Sequence, residues 1–181
     1  MQTLPRRQQG AWIAIGLILL IVFSRLIPHP PNFTPVLAAA LFCGTLYMRP
    51  SHSLLVPLLG MVAGDLVLGF HDQVWAVYLA VALCVGLGRW MLSPPGVLTT
   101  LGAGVSGSAL FFLLTNFAVW LQGDFYPMTT AGLLACYVAA IPFFHHTLIA
   151  TLLFGLALFG LSRLLQSSKS SGGLLPTQHY G

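Results

Sequence analysis

The chain has 181 residues, of which 57% are hydrophobic and only 6% are charged, whereas ordinary soluble domains carry roughly 25% charged residues. This composition excludes a water-soluble globule and predicts one domain that crosses a membrane several times, since each helical span needs about 20 apolar residues. The formal net charge of +4 comes from seven basic and three acidic residues, but no basic cluster could follow a phosphate backbone, so we expect no nucleic acid partner.

The amino-terminal part of the chain predicts a first span and a short second segment. The apolar run over residues 11–23 follows two arginines, and no small-residue cleavage site comes after it, so we expect a retained span over residues 11–27 rather than a removed signal. The prolines of residues 29–35 then forbid a continuous helix and indicate a structured connector. The second segment, 36–48, has 13 residues, which is too short to span unless the connector enters the membrane inside the protein.

The middle of the chain predicts three longer spans. The third segment, 54–70, and the fourth, 74–92, are separated by a tight polar turn at 71–73, so they form an antiparallel pair. The fifth segment, 97–121, is long enough to cross with a tilt, and a polar loop over 122–128 follows it.

The carboxyl-terminal part contains one ambiguous segment. Residues 129–144 are apolar but interrupted by Pro142, whereas residues 148–164 predict a clean span. Cytoplasmic loops are enriched in Lys and Arg. If the amino terminus is cytoplasmic, six spans place most basic residues on the cytoplasmic side. These residues are Arg6, Arg7, Arg49, Arg89, Arg163 and Lys169. Because a seventh span would export the basic end of the chain, we expect residues 129–144 to be shallow or only partly inserted.

These segments together predict an all-α fold, a polytopic membrane helical bundle with about six transmembrane helices. A cytoplasmic segment over residues 1–10 precedes a single transmembrane domain over residues 11–165, and both termini lie in the cytoplasm. Residues 166–181 are rich in Ser, Gly and polar side chains and predict a flexible cytoplasmic tail.

This topology brings all three acids and most histidines to the outer membrane face. Charged side chains at membrane depth are costly, so Asp65 and Arg25 should face a cavity or each other rather than lipid. A purely structural pair and a role in contacting a ligand both stay open for these two residues. The titratable residues at this face are Arg25, His29, Asp65, His71, Asp72, Asp124, His145 and His146.

Other polar residues in the spans give weaker indications. Adjacent positions on a helix point about 100° apart, so His145 and His146 are not well placed to bind one metal ion. The amide of Asn116 is expensive in hydrocarbon and should bond to another helix or to a ligand. The three cysteines lack the paired spacing of zinc or redox motifs and are expected to be small buried hydrophobes; they are Cys43, Cys84 and Cys136.

Four stretches of the chain resemble a family of uncharacterised bacterial integral membrane proteins. They read RLIPHPPNFTPVLAAALFCGTLY at 25–47, GDLVLGFH at 64–71, FFLLTNFAVW at 111–120 and YPMTTAGLLACYVAAIPFF at 126–144. The resemblance covers about residues 24–165. That family is in turn more weakly similar to the substrate-binding S components of energy-coupling-factor vitamin transporters. The shared features are a six-helix bundle, a short second helix, a Gly-Asp signature at the end of the third helix and a proline before the last helix.

The resemblance implies a multi-pass protein of the bacterial inner membrane that binds a small solute, vitamin-like or metal-containing, at the outer face and mediates its uptake. It also implies a separate ATPase and T-component module as a partner, although the Ala-x-x-x-Ala contact of many S components is not clean here, with Ala11 and Ala14 three apart. Cobalamin is one candidate solute, since the Cys84 thiolate could ligate cobalt; no resident cofactor is expected. The substrate-binding residues that we expect are Arg25, His29, Asn32, Asp65, His71, Asp72, Asn116 and Tyr126.

Two other functions stay open as alternatives. The first is a membrane-embedded metal enzyme that uses His29, His71, His145 and an Asp, and the second is a non-catalytic subunit of a larger membrane complex. The chain has no Glu, no HExxH, no nucleotide-binding loop and no nucleophile elbow. We therefore expect a protein that is not an enzyme and that does not hydrolyse ATP itself.

Overall fold

The computed structural model describes residues 6–46, 49–92 and 95–171, and within these ranges the chain forms six helices and no strand. The helices are α1 (Arg6–Leu26), α2 (Val36–Leu46), α3 (Pro50–Leu68), α4 (Val74–Met91), α5 (Val97–Gln122) and α6 (Thr130–Ser171). Five of them, all except α2, are long and apolar enough to cross a membrane. The prediction of an all-α membrane bundle with about six helices is therefore confirmed.

The directions of the helices place three connections at the same end of the bundle. Ile21 of α1 lies against Gly60 of α3, and Arg25 lies against Gly64, so α1 and α3 run in the same direction. Helices α2 and α4 also run in the same direction, whereas α5 and α6 pack antiparallel along most of their length. Residues 27–35, 69–73 and 123–129 consequently meet at one end, which we call the connector end.

Helix α2 is the central element of the bundle. Every residue from Val36 to Gly44 is buried, and α2 contacts each of the other five helices. The approach to α4 is so close that a Cβ atom added at Gly88 would overlap the backbone oxygen of Leu41. A helix that is apolar on all sides is typical of a fully enclosed position. At 11 residues and 1.5 Å per residue, α2 is roughly 16 Å long, well short of a hydrocarbon core of about 30 Å.

Helix α6 differs from the sequence prediction. We expected 129–144 to be a shallow segment separate from a span over 148–164, but α6 continues through Pro142 without a break. A proline removes one backbone hydrogen bond, and in an apolar setting a full break would leave several more groups without a partner, so the helix persists. The first turns of α6 lie alongside the end of α5, where the Cys136 thiol donates to the Asn116 carbonyl at 3.4 Å.

The ends of the bundle extend beyond the predicted transmembrane domain. Helix α1 begins at Arg6, inside the expected amino-terminal segment, and α6 continues to Ser171, inside the expected tail. The rest of that tail lies outside the described residues. With 42 residues, α6 is roughly 60 Å long at 1.5 Å per residue, which exceeds the thickness of a bilayer, about 40–45 Å.

Candidate functional site

The connector end holds the polar and charged groups that the sequence predicted to gather at one face. His29 lies in the proline-rich connector, His71 in the turn between α3 and α4, and Asp124 in the loop before α6. Two contacts tie these segments together. His146 of α6 bonds through Nδ1 to the Pro31 carbonyl at 3.2 Å, and the Gln73 amide donates to Gln122.

A buried ion pair lies beneath the connector end. Arg25, near the end of α1, donates through Nη2 to Asp65 Oδ1 and through Nη1 to the Met61 carbonyl at 2.9 Å. Tyr78 of α4 donates its hydroxyl to Asp65 Oδ2 at 2.7 Å. Both carboxylate oxygens of Asp65 are thus occupied, and the residue is 1% exposed. A charge at this depth is tolerated because it is paired and hydrogen-bonded.

The ion pair connects α1, α3 and α4, but its two members face different surroundings. Asp65 is enclosed, whereas the Arg25 side chain is 14% exposed and borders a cavity. Gly64 makes room for the guanidinium, since a Cβ atom there would lie 2.8 Å from Arg25 Nη1. Asp65 therefore has only a structural role in the ion pair. Arg25 takes part in the same pair and also borders the cavity.

The first cavity at the connector end has an aromatic wall and a volume of about 270 Å³; we call it the aromatic cavity. Phe112 and Phe144 contact each other in this wall, with ring centroids 5.1 Å apart. The residues that line it are Asn32, His71, Gln73, Val77, Phe111, Phe112, Thr115, Asn116, Val119, Phe143, Phe144 and Thr147. Half of these residues are apolar and half carry amide, hydroxyl or imidazole groups, and most of the lining surface is apolar, as in small-molecule sites.

The second cavity has a volume of about 260 Å³ and contains the basic groups; we call it the basic cavity. Arg25, His29 and His71 line it, and none of the three acidic residues of the chain lines either cavity. The two cavities adjoin, because they share four lining residues, namely Asn32, His71, Val77 and Phe111.

Asn32 stands at the junction of these spaces. It lines both cavities and also a space of about 30 Å³ further in, beside Thr34 and Leu37. Its φ angle is 62°, a left-handed backbone conformation that Asn tolerates better than most residues. Asn32 follows two prolines, Pro30 and Pro31, and lines these spaces together with Phe111 of α5.

Asn116 lies in the wall of the aromatic cavity, but its bonding differs from our expectation. Its Nδ2 donates to the Phe112 carbonyl of its own helix at 2.8 Å, rather than to another helix. Thr115 bonds in the same way, to the Phe111 carbonyl at 2.8 Å. An amide that bonds back to its own helix through Nδ2 keeps its side-chain carbonyl oxygen for a neighbour or a solute.

The other predicted site residues lie outside the two cavities. Asp65 sits behind Arg25, Asp72 is exposed in its turn, and Tyr126 is half-buried in the loop before α6. Cys84 is fully buried, with Sγ 3.8 Å from the Gly107 carbonyl, and it lines neither cavity, so the idea that it ligates cobalt in this site is wrong. In the described part of the chain, no three His, Cys or Asp side chains cluster as metal ligands, so the donor set of the metal-enzyme alternative is not assembled there.

The contact of Tyr78 with Asp65, and the places of Gln73 and Thr147 in the wall of a cavity, were not expected from the sequence. Tyr78 completes the partners of Asp65, and Gln73 and Thr147 line the aromatic cavity. The sequence could have indicated the contact of Tyr78 with Asp65. Because the turn between α3 and α4 is tight, residues at similar distances before and after it face each other, and Asp65 and Tyr78 are such a pair. Gln73 and Thr147 depend on how far α4 and α6 rotate about their axes, which no spacing in the chain encodes.

Comparison with known proteins places the chain in a family. The model of a family of unknown function, DUF6580, matches residues 6–173, and the chain belongs to that family. Searches of curated proteins and of solved structures gave no significant match. The resemblance to uncharacterised bacterial membrane proteins agrees with this family, and the further similarity to S components has no support from these comparisons.

Proposed function

We propose that this protein binds a small solute at the connector end and mediates its uptake across the bacterial inner membrane. The observation that carries the proposal is the pair of adjoining cavities, of about 270 and 260 Å³, at the end of the bundle where three connections meet. Pockets of a few hundred Å³ with aromatic walls and a few polar groups are typical of small-molecule sites.

The direction of transport in this proposal follows from the basic residues. Arg49, Arg89 and Arg163 lie at the end of the bundle opposite the connector end. Since basic residues favour the cytoplasmic side, the connector end faces outward, both termini face the cytoplasm, and the solute enters from outside. We propose that a separate ATPase and T-component module supplies the energy, as in the S components that the sequence resembles.

The experiment that tests the proposal asks whether the cavities hold a molecule. Wild-type protein is purified in mild detergent and analysed by native mass spectrometry, with elemental analysis of the same sample. The blocking variant is Val77→Trp, because Val77 borders both cavities. The matched control is Leu79→Trp, which places the same tryptophan side chain on the exposed side of α4.

We expect a small molecule on wild-type protein and on Leu79→Trp, and its loss from Val77→Trp while the α-helical circular dichroism is unchanged. If Val77→Trp retains the molecule, the molecule does not bind in these cavities and the proposed site is wrong. A transition metal near one equivalent that Val77→Trp retains, and that substitution of His29 or His71 removes, would favour the metal-enzyme alternative instead.

A further inference from the structure

We propose that the solute carries an anionic group, a carboxylate or a phosphate, that binds in the basic cavity while an apolar or aromatic part occupies the aromatic cavity. This inference rests on the proposed function and assigns the chemical class of the solute. It starts from the distribution of charge around the two cavities. All ionisable side chains that line them are basic, and these are Arg25, His29 and His71.

The acidic residues of the chain present nothing to the solute. Asp65 uses one carboxylate oxygen for Arg25 and the other for Tyr78, and it is 1% exposed. The two remaining acids, Asp72 and Asp124, are exposed in the connecting segments and line neither cavity. A cationic solute would therefore find no free carboxylate oxygen to pair with, since both oxygens of Asp65 are already bonded. Asp65 balances the charge of Arg25, so the preference for an anion comes from the remaining N–H donors rather than from net charge.

Arg25 is held in a geometry that suits an anion. Its bonds to Asp65 and to the Met61 carbonyl fix the guanidinium plane, and these bonds use only two of its five N–H donors. Because the side chain still borders the basic cavity, N–H groups are left for an acceptor there. Arginine with a fixed orientation is well suited to carboxylate and phosphate groups, because its donors match their oxygen atoms in pairs.

The histidines add ring nitrogens to the same space. Nδ1 of His29 lies 2.6 Å from the Ile27 carbonyl, which can only accept, so Nδ1 donates to it. Nε2 of the neutral ring is then an acceptor, and the histidine that can offer a ring N–H to an anion is His71. His71 lies where the two cavities meet and borders both of them. An anion bound between Arg25 and His71 would place the attached apolar part beside Phe111, which also lines both cavities.

The test compares acids with their neutral amides of the same shape. Wild-type protein is placed in nanodiscs of zwitterionic phosphatidylcholine, and binding is measured by equilibrium dialysis against empty nanodiscs. The probes are benzoate and 2-naphthoate, their amides, and the cation 2-naphthylmethylammonium. We expect at least one acid to bind about tenfold more tightly than its amide, the ratio that corresponds to one charge-assisted hydrogen bond. We expect the cation to bind least.

The variants assign this preference to the basic cavity. His71→Gln removes a basic group at an exposed position, and the double variant Arg25→Gln with Asp65→Asn removes the ion pair while leaving two neutral partners that can hydrogen-bond. Each should reduce the ratio of acid to amide affinity by about threefold or more, a change of roughly 0.7 kcal/mol. His145→Gln is the control, because His145 is exposed and lines neither cavity. Circular dichroism confirms that each variant is folded.

Three outcomes would overturn the inference. They are equal binding of acid and amide, tighter binding of the cation, and failure of all five probes to bind. Equal binding that Val77→Trp abolishes would overturn the anionic class and leave the proposed solute site in place. Binding that Val77→Trp leaves unchanged would instead count against the proposed site itself.

Discussion

The ion pair beneath the connector end gives the most direct test of the packing described above. Asp65→Asn keeps the size of the side chain and an oxygen for the Tyr78 hydroxyl, but it removes the charge that balances Arg25. Leaving one member of a buried pair without its partner costs about 3–5 kcal/mol. Arg25 is 14% exposed and borders the basic cavity, so water recovers part of that loss. We therefore expect a loss near the lower end, about 3 kcal/mol.

The assay is reversible unfolding by sodium dodecyl sulfate in mixed micelles, which gives the free energy of unfolding. Asp72→Asn is the matched control, because this carboxylate is exposed and exposed substitutions usually change stability by less than about 0.5 kcal/mol. The double variant Arg25→Met with Asp65→Leu should be more stable than Asp65→Asn, because it leaves no unpaired charge. A loss below about 1 kcal/mol for Asp65→Asn would refute the view that this pair fastens α1 to α3.

Two further predictions concern the packing of α2 and the orientation of the bundle. Gly88→Ala should lower the free energy of unfolding by about 1–3 kcal/mol, because the added Cβ overlaps the Leu41 carbonyl. The control is Gly86→Ala, which should be neutral or stabilising because a Cβ there has open space. Equal losses of stability for both variants would contradict the close contact of α2 and α4. For orientation, alkaline phosphatase inserted after Gly123 should be active in the periplasm and a fluorescent protein at the carboxyl terminus should fluoresce in the cytoplasm; an inactive phosphatase with a dark fluorescent protein would invert the topology.

The sequence predicts the helix boundaries well where it contains explicit stop signals. The prolines of the connector and the polar turn at 71–73 delimit α2, α3 and α4 to within a few residues of their observed ends. Pro142 is the exception, because a proline inside an apolar run can end a helix or only interrupt one hydrogen bond. The neighbouring helix decides between these outcomes, and α5 packs along α6 on both sides of Pro142.

The candidate site was predictable by region rather than by residue. The grouping of Arg25, His29 and His71 at one end follows from counting spans, because each residue lies close to a connection. The sequence does not give the rotation of each helix about its axis, and this rotation turns Asp65 away from the cavities and Asn116 toward one of them. Contacts between distant segments, such as that of His146 with Pro31, depend on the assembled bundle.

The enclosed position of α2 has a consequence for how this protein is made. A helix of 11 residues cannot bridge the hydrocarbon core, so the insertion machinery cannot release it into lipid as a finished span in the way it can release α1. Its backbone ends need shelter that comes from α3, α4, α5 and α6, all of which are synthesised later. We therefore expect α2 to reach its buried position only after the carboxyl-terminal helices have entered the membrane. Packing of the amino-terminal half of the chain would then be completed only after α6 has been translated.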